Sequence, residues 1–214
     1  MRPQLDGMGQ PGMIMKPWHL HIHGRNISFG DQVHVVTSKD RTVRLTTWDH
    51  AEGNGVINIG DYALLCPGVR IDAATRVTVG ANTMLAAGVY ITDADWHDIY
   101  DRSQPIGQTR EVVLENNVWV GDGSIVCKGV TVGQNTVIGA GSVVTKSLPA
   151  NVIAAGNPAT VIRQLDEDRK LLTRQDLLNR SGFAQDMNML ERAMRADNTW
   201  LKWLRTNLNP RRDD

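Results

Sequence analysis

The sequence has little of several features that mark large classes of protein. Its 214 residues include only two cysteines, Cys66 and Cys127, which excludes a disulfide framework and favours buried free thiols in a cytoplasmic protein. No run of about 18 apolar residues occurs, so membrane insertion is not expected. Lys plus Arg and Asp plus Glu number 23 each, and this zero net charge favours neither nucleic acid nor an anionic membrane as partner.

Glycine is abundant but unevenly distributed. Of the 20 glycines, 19 precede residue 166 and only Gly182 follows it, whereas residues 166–214 carry 10 Lys or Arg and 9 Asp or Glu. The composition predicts three parts: a flexible N-terminal arm at 1–16, a glycine-rich body at 17–163 and an α-helical C-terminal extension at 164–214.

The extension has the periodicity of amphipathic helices. A first helix is predicted over about 166–179, and Ser181-Gly182 separates it from a second. The second helix carries one apolar stripe, formed by Phe183, Met187, Leu190, Met194, Leu201, Leu204 and Leu208. Two roles remain open for the helices, which either cap the end of the body or hold subunits together.

The body contains a six-residue repeat. Every sixth residue from Leu114 is aliphatic, through Val120, Val126, Val132, Ile138 and Val144. An earlier run comprises Ile59, Leu65, Ile71 and Val77, and resumes after a shift of two at Val79, Leu85 and Ile91. This period is typical of short strands that turn a corner every six residues, so that three repeats close a coil of about 18 residues around stacked aliphatic side chains. Glycines that follow these residues are expected where a Cβ would be costly.

Two stretches carry a family resemblance. Residues 118–146 and 148–163, the second containing Gly156-Asn157-Pro158-Ala159, resemble the hexapeptide-repeat acyltransferases and are similar to their galactoside/maltose O-acetyltransferase branch. The resemblance covers about residues 17–163. It implies a mainly β fold, a left-handed parallel β-helix followed here by the helical tail, and a homotrimer with active sites between subunits.

The repeat is interrupted over about residues 92–111, where an extruded loop is predicted. A histidine at this place is the general base in the family, so the resemblance implies that His97 takes a proton from the acceptor. An imidazole has an ordinary pKa near ~6.5, which suits this task at neutral pH. Four neighbours are candidate supporting residues, and the carboxylates among them are not ranked: Asp93, Asp95, Trp96 and Asp98.

The resemblance also implies acetyl-CoA as co-substrate, bound along a groove beside the coils. By position, Trp119 lines the pantetheine end, and backbone groups of Asp122 and Ala140 bind the pantetheine amides. Thr145, Lys146 and Arg163 lie near the nucleotide end, where basic groups suit phosphate oxygens. The reaction needs no metal.

The sequence therefore predicts a CoA-dependent O-acetyltransferase, with direct attack of an acceptor hydroxyl in a ternary complex. The acceptor is a sugar or another small molecule. The chain carries Gly68 where galactoside-type enzymes have an acceptor-binding asparagine, so neither galactoside nor maltose is implied. The alternatives are a non-catalytic hexapeptide scaffold or binding subunit, and an acyltransferase that uses succinyl-CoA or acyl carrier protein.

One further pattern leaves a choice open. His19, His21 and His23 alternate with apolar residues, and in an extended strand their imidazoles would share one face. Such a face is either a metal site or an ordinary polar strand surface, and we expect no metal here.

Overall fold

The computed structural model describes residues 4–50, 53–103, 105–183, 185, 186, 189, 192, 204 and 208. Short strands dominate this part of the chain. The first ten are β1 (Gly7–Met8), β2 (Leu20–His23), β3 (Ile27–Phe29), β4 (His34–Val35), β5 (Val43–Thr47), β6 (Asp49–His50), β7 (Gly53–Asn54), β8 (Ile57–Ile59), β9 (Leu64–Leu65) and β10 (Arg70–Ala73). The remainder are β11 (Val77–Val79), β12 (Met84–Leu85), β13 (Tyr90–Thr92), β14 (Val112–Leu114), β15 (Trp119–Val120), β16 (Ile125–Val126), β17 (Thr131–Val132), β18 (Val137–Ile138), β19 (Val143–Val144), β20 (Val152–Gly156) and β21 (Ala159–Gln164). A 3-10 helix spans Pro17–His19, and helix α1 spans Arg174–Leu178.

The strands form three sheets that the chain visits in turn. The first sheet has the order β1-β3-β8-β11-β14-β17, the second β2-β5-β10-β13-β16-β19, and the third β4-β9-β12-β15-β18-β20-β21. Neighbouring strands are parallel except β20 and β21. A separate antiparallel hairpin joins β6 to β7. The predicted mainly β fold with stacked coils and parallel sheets is thus confirmed.

The strand register confirms the predicted coil length. Val120 lies opposite Ile138, and Val126 opposite Val144, so one turn of the later coils takes 18 residues. The coil from Leu65 to Leu85 is longer by two, and the coil from Leu85 to Val120 is longer still because it contains the extruded loop. All the aliphatic repeat residues named above are at most 2% exposed. Burial of each Val, Leu or Ile stabilises the fold by about 1.5–3 kcal/mol.

Glycine and asparagine serve different parts of each coil. A Cβ on Gly121 would lie 2.5 Å from the backbone nitrogen of Ala140 in the next coil, so glycine is required by close approach. Left-handed turns are occupied instead by Asn117, Asn135 and Asn151, with φ between 58° and 61°. The side-chain amide of Asn117 donates to that of Asn135 at 2.9 Å, and Asn135 donates to Asn151 at 2.7 Å. This ladder ties successive corners together.

The N-terminal segment differs from the expectation of a flexible arm. In its described part, residues 4–16, strand β1 pairs in parallel with β3, and Leu5 is buried in the core. Ile14 forms a bridge with Val35. The segment is therefore part of the first coil, because its apolar side chains cover the end of the core.

The chain forms two compact units, Met1–Leu171 and Leu172–Asp214. In the second unit the predicted first helix shortens to α1, whose start is fixed by the Asp176 carboxylate accepting the backbone N–H of Thr173 at 2.8 Å. Phe183, Leu204 and Leu208 of the predicted stripe are helical. The other stripe residues, Met187, Leu190, Met194 and Leu201, lie outside the described residues. No helix in the described part of the chain is long and apolar enough to span a membrane.

Candidate active site

The extruded loop is held at its base by backbone hydrogen bonds. It joins β13, which ends at Thr92, to β14, which begins at Val112. The N–H of Arg110 donates to the carbonyl of Asp93 at 2.8 Å, and that of Asp95 donates to the carbonyl of Gln108 at 2.9 Å. The N–H of Gly107 returns to the carbonyl of Asp95 at 2.8 Å. These bonds fix where residues 96–106 leave the coil.

Asp93 fastens this base to the preceding coil. Its carboxylate is fully buried, and its two oxygens accept the backbone N–H groups of Ala74 and Thr75 at 2.7 Å each. Burial raises the pKa of this carboxyl, while the backbone donors act in the opposite direction. Asp93 is thus an anchor of the loop through bonds to the coil backbone.

Asp95 provides a second anchor. The Lys128 ammonium lies 2.7 Å from both carboxylate oxygens of Asp95, and both side chains are largely shielded from solvent. Lys128 follows β16, so the ion pair connects the loop to the next coil. Partial burial limits the solvent screening that weakens exposed ion pairs.

Trp96 is fixed to the outer face of the second sheet by a chain of contacts. Its Nε1 donates to the Tyr90 hydroxyl at 3.2 Å, and its ring lies 5.7 Å from that of Trp48. The Arg70 guanidinium lies over the Tyr90 ring, 4.7 Å from its centroid, and is 2.5 Å from the Asp72 carboxylate. We call Trp48, Arg70, Asp72, Tyr90 and Trp96 the sheet-face network.

His97 is exposed directly after Trp96. On its other side the Asp98 carboxylate accepts the backbone N–H groups of Tyr100 and Asp101 at 2.8 Å each, which holds the pKa of Asp98 below its usual range. The backbone of His97 packs closely on Gly107, where a Cβ would lie 2.6 Å from the His97 carbonyl oxygen. The imidazole therefore belongs to a segment held on both sides and is open to solvent and ligands.

A cavity of about 370 Å³ lies at the base of the loop. Its lining includes Thr92, Ala94, Asp95, Arg110, Cys127, Lys128, Gly129 and Thr145. Burial, with a smaller contribution from Asp95, raises the pKa of the Cys127 thiol against the opposing effect of Lys128. A thiol held protonated is a poor nucleophile, so Cys127 is not expected to react. The cavity brings together the loop and Thr145, one of the predicted donor-binding residues.

Two other predicted donor residues share one row of the third sheet. Trp119 lies opposite Val137, Val137 opposite Ile153, and Ile153 opposite Arg163. Three strand spacings separate Trp119 from Arg163, which is about 14 Å. Both side chains are exposed. The row therefore offers an aromatic group and a guanidinium at its two ends.

The corner after this sheet is open. Asp122 and Ala140 occupy equivalent places in successive coils, and the N–H of Gly141 donates to the Asp122 carbonyl at 2.7 Å. Among the described residues, none has a heavy atom within 4 Å of where a Cβ on Gly123 or Gly141 would lie. Thr145 and Lys146 are exposed beyond β19. An extended ligand could lie along this corner without displacing a side chain.

Sequence reasoning did not select Trp48, Arg70, Asp72, Tyr90 or Lys128. Tyr90 belongs to β13, the strand directly before the loop. The other four residues belong to other coils. The signal available in the sequence is the pair Arg70 and Asp72, which flank buried Ile71 and place two charges on one strand of an otherwise aliphatic repeat.

The three-histidine pattern does not form one strand face. His19 belongs to the 3-10 helix, and only His21 and His23 lie in β2, with their rings stacked 6.5 Å apart. Among the described residues, no group of three or more His, Cys, Asp or Glu is placed to hold a metal ion.

Comparison with known proteins identifies the family. Residues 111–146 match the family described as bacterial transferase hexapeptide (six repeats). The chain is 30% identical to the galactoside O-acetyltransferase of Lactococcus lactis over 167 residues, covering 78% of this chain and 67% of that protein. It is 40% identical to the Escherichia coli galactoside O-acetyltransferase over 96 residues, covering 44% of this chain and 47% of that protein. It thus spans about two thirds of the first relative and about half of the second.

The fold has a counterpart among solved structures. A hexapeptide-repeat-containing acetyltransferase of Vibrio cholerae, complexed with acetyl-CoA, matches with a TM-score of 0.52 at 22% identity, covering 78% of this chain and 74% of that chain. The 30% identity to the Lactococcus lactis protein, over two thirds of its length, shows that the chain belongs to the hexapeptide-repeat acyltransferase family, which confirms the resemblance in its sequence. It is an acetyltransferase of that family.

Proposed function

We propose that this protein transfers an acetyl group from acetyl-CoA to a hydroxyl of a sugar or another small acceptor, and that His97 is the general base. The observation that carries the proposal is the anchored loop, which presents an exposed imidazole two residues after cavity-lining Asp95. The cytoplasm is the proposed location, which the free thiols of Cys66 and Cys127 favour.

His97 takes the proton from the acceptor hydroxyl while the oxygen attacks the thioester carbonyl directly. The bond to sulfur then breaks, and CoA leaves as its thiolate, which takes up the proton held by His97 and so restores the neutral imidazole. No acyl-enzyme is required, because a thiol is a good leaving group. Trp96 and the turn at Asp98 hold the segment that carries the imidazole, so Trp96 and Asp98 act as supporting residues, and Asp93 and Asp95 act through the loop base.

The donor is proposed to lie along the open corner and the exposed row of the third sheet. Trp119 lines the pantetheine end, and the backbone at Asp122 and Ala140 binds its amides. Thr145, Lys146 and Arg163 take the nucleotide end, where the basic groups bind phosphate oxygens. The span of about 14 Å between Trp119 and Arg163 fits an extended chain between these two ends.

We propose a left-handed β-helix that assembles as a homotrimer, with each active site completed by a neighbouring subunit. The outer row of the third sheet supports this assembly, because it is apolar between His34 at one end and Arg163 at the other: Leu64, Met84, Trp119, Val137 and Ile153. The corresponding row of the first sheet carries Ser28, Asn58 and Thr78. Light scattering coupled to size exclusion is expected to give three times the chain mass of 23.6 kDa. A monomer at micromolar concentration would contradict the assembly.

Calorimetric titration with acetyl-CoA tests the donor site. Wild-type protein is expected to bind with micromolar affinity at about one site per chain, and Lys146→Ala is expected to weaken binding by about tenfold through loss of a phosphate contact. Lys39→Ala is the matched control, because Lys39 is an exposed lysine in another coil.

Two results of this titration would contradict parts of the proposed donor site. Equal affinity of wild type and Lys146→Ala would remove Lys146 from the donor site. Absence of binding to acetyl-CoA and to free CoA in folded protein would contradict the proposed donor. That result would favour the scaffold, or an acyl carrier protein as donor.

A further inference from the structure

We propose that the sheet-face network forms the acceptor subsite and that it takes an uncharged pyranoside, with Trp48 as its stacking platform. The inference rests on the proposed function, since it places the acceptor beside His97. It is carried by the geometry of the second sheet, whose outer face holds two indole rings and a fixed guanidinium near the catalytic loop.

Strand alternation brings the polar members of the network together. On β10 the side chain of Ile71 faces the core, so those of Arg70 and Asp72 face outward. The Asp72 side chain is nevertheless only 5% exposed, whereas that of Arg70 is 46% exposed. The Arg70 guanidinium therefore meets a buried carboxylate at its inner edge, where the Asp72 Oδ2 atom has no aligned hydrogen-bond donor among the described residues, and its other N–H groups face outward for a ligand.

Trp48 is an exposed indole on a fixed backbone. It follows β5, where its N–H donates to the Ala73 carbonyl at 2.9 Å and its carbonyl accepts the N–H of Gly55 at 3.0 Å. The side chain remains 50% exposed in the single chain. Trp96 stands beside it with the ring planes inclined at 55°. Two inclined indoles provide apolar surface against which the C–H face of a pyranose ring can pack.

The charges around this surface are compensated. Arg70 is paired with Asp72, and Asp49, next to Trp48, lies 3.6 Å from Arg25. Arg44 lies opposite Arg70, so both arginines stand four residues, about 13 Å along the strands, from the level of Trp48. A ligand on the indole rings therefore lies beside the paired charges of Asp49 and Arg25 and away from Arg44. This favours hydroxyl groups over a carboxylate or phosphate.

Trp48→Ala tests the subsite in the full chain. Acceptors are the methyl α-pyranosides of glucose, galactose and mannose, with methyl α-glucuronide as the charged counterpart, and CoA release is followed. The Michaelis constant for the best neutral pyranoside is expected to rise about tenfold. The Michaelis constant for acetyl-CoA is expected to stay unchanged, and the slow acceptor-free hydrolysis of acetyl-CoA is expected to fall less than acetyl transfer does. Trp18→Ala, an exposed tryptophan of the 3-10 helix, is expected to behave as wild type.

Three results would overturn the proposal. If Trp48→Ala lowers acceptor-free hydrolysis as much as transfer, Trp48 only supports the loop. If its acceptor Michaelis constant is unchanged, Trp48 does not contact the acceptor. If wild-type protein prefers the glucuronide, the subsite is not one for uncharged sugars. If the protein does not bind acetyl-CoA, the proposed function fails, which is a different result from failure of the subsite. In that case saturation-transfer NMR with the same pyranosides still tests whether the subsite binds them.

Asp72→Asn probes the charge balance independently. It leaves Arg70 uncompensated, so the preference is expected to shift at least about tenfold toward the glucuronide. An unchanged preference would contradict the role of the pair. Because Asp72 is buried, folding is checked by circular dichroism. Trp48→Phe provides a second test, since it is expected to keep the acceptor Michaelis constant within about threefold by retaining an aromatic surface.

Discussion

Replacing His97 by alanine is expected to lower acceptor-dependent acetyl transfer by about 10²- to 10⁴-fold, the usual contribution of a positioned general base. The acceptor hydroxyl would then have to lose its proton to water instead of to a positioned base. His97 is exposed on the extruded loop and lies outside the hydrophobic core. Its removal should therefore leave the thermal midpoint of unfolding unchanged. CoA release with the best pyranoside of the panel measures the rate.

The control for this variant is His21→Ala, because His21 is likewise an exposed histidine but lies in β2, away from the extruded loop in sequence, and its variant is expected to retain full activity. Calorimetry with acetyl-CoA should give the same affinity for wild type and His97→Ala. That combination separates loss of chemistry from loss of donor binding. A rate within about threefold of wild type would remove His97 from the mechanism.

The coil architecture was predictable because its cause is local and repeated. Aliphatic residues such as Val120 and Val126 recur every sixth position, and each occupies the same inward place in its coil. The structure of one repeat therefore predicts the structure of the repeats beside it. The two-residue shift between Val77 and Val79 was also visible in the sequence, and the structure explains it, since both residues face the core from one strand.

The contacts of the site were less predictable, because they join residues that are far apart in the chain. Asp93 binds the backbone at Ala74, 19 residues earlier, and nothing at Ala74 or Thr75 marks them as donors. Trp48, which lies between β5 and the β6–β7 hairpin, meets Trp96 although 48 residues separate them in the chain. The interruption of the six-residue repeat indicated where the loop that carries His97 lies. The repeat could not show which residues anchor that loop to the coils.

Replacing Asp93 by asparagine is expected to destabilise the fold by about 2–4 kcal/mol. Asparagine offers one acceptor oxygen, so its NH₂ group would face one of the two backbone N–H donors and leave that donor buried without a partner. For a chain of this size, this corresponds to a fall of about 4–16 °C in the midpoint of thermal unfolding. Differential scanning calorimetry at neutral pH measures it.

Asp98→Asn is the matched control for Asp93→Asn. Asp98 also accepts two backbone N–H groups, but within the exposed part of the same loop, where water can replace a lost bond. Its variant is expected to unfold within about 2 °C of wild type. Equal shifts for the two variants would show that burial of the Asp93 carboxylate does not matter for stability.

The raised pKa of Asp93 predicts how the stability difference between wild type and Asp93→Asn changes with pH. Burial raises the pKa of the carboxyl, so between its unfolded and folded pKa the folded chain keeps a proton that the unfolded chain has released. The contribution of Asp93 to stability is then largest below the unfolded pKa and falls as the pH rises through the folded pKa. Asparagine does not titrate. The stability difference between wild type and Asp93→Asn should therefore widen on acidification from neutral pH, and a difference that narrows would mean that the two backbone donors outweigh burial.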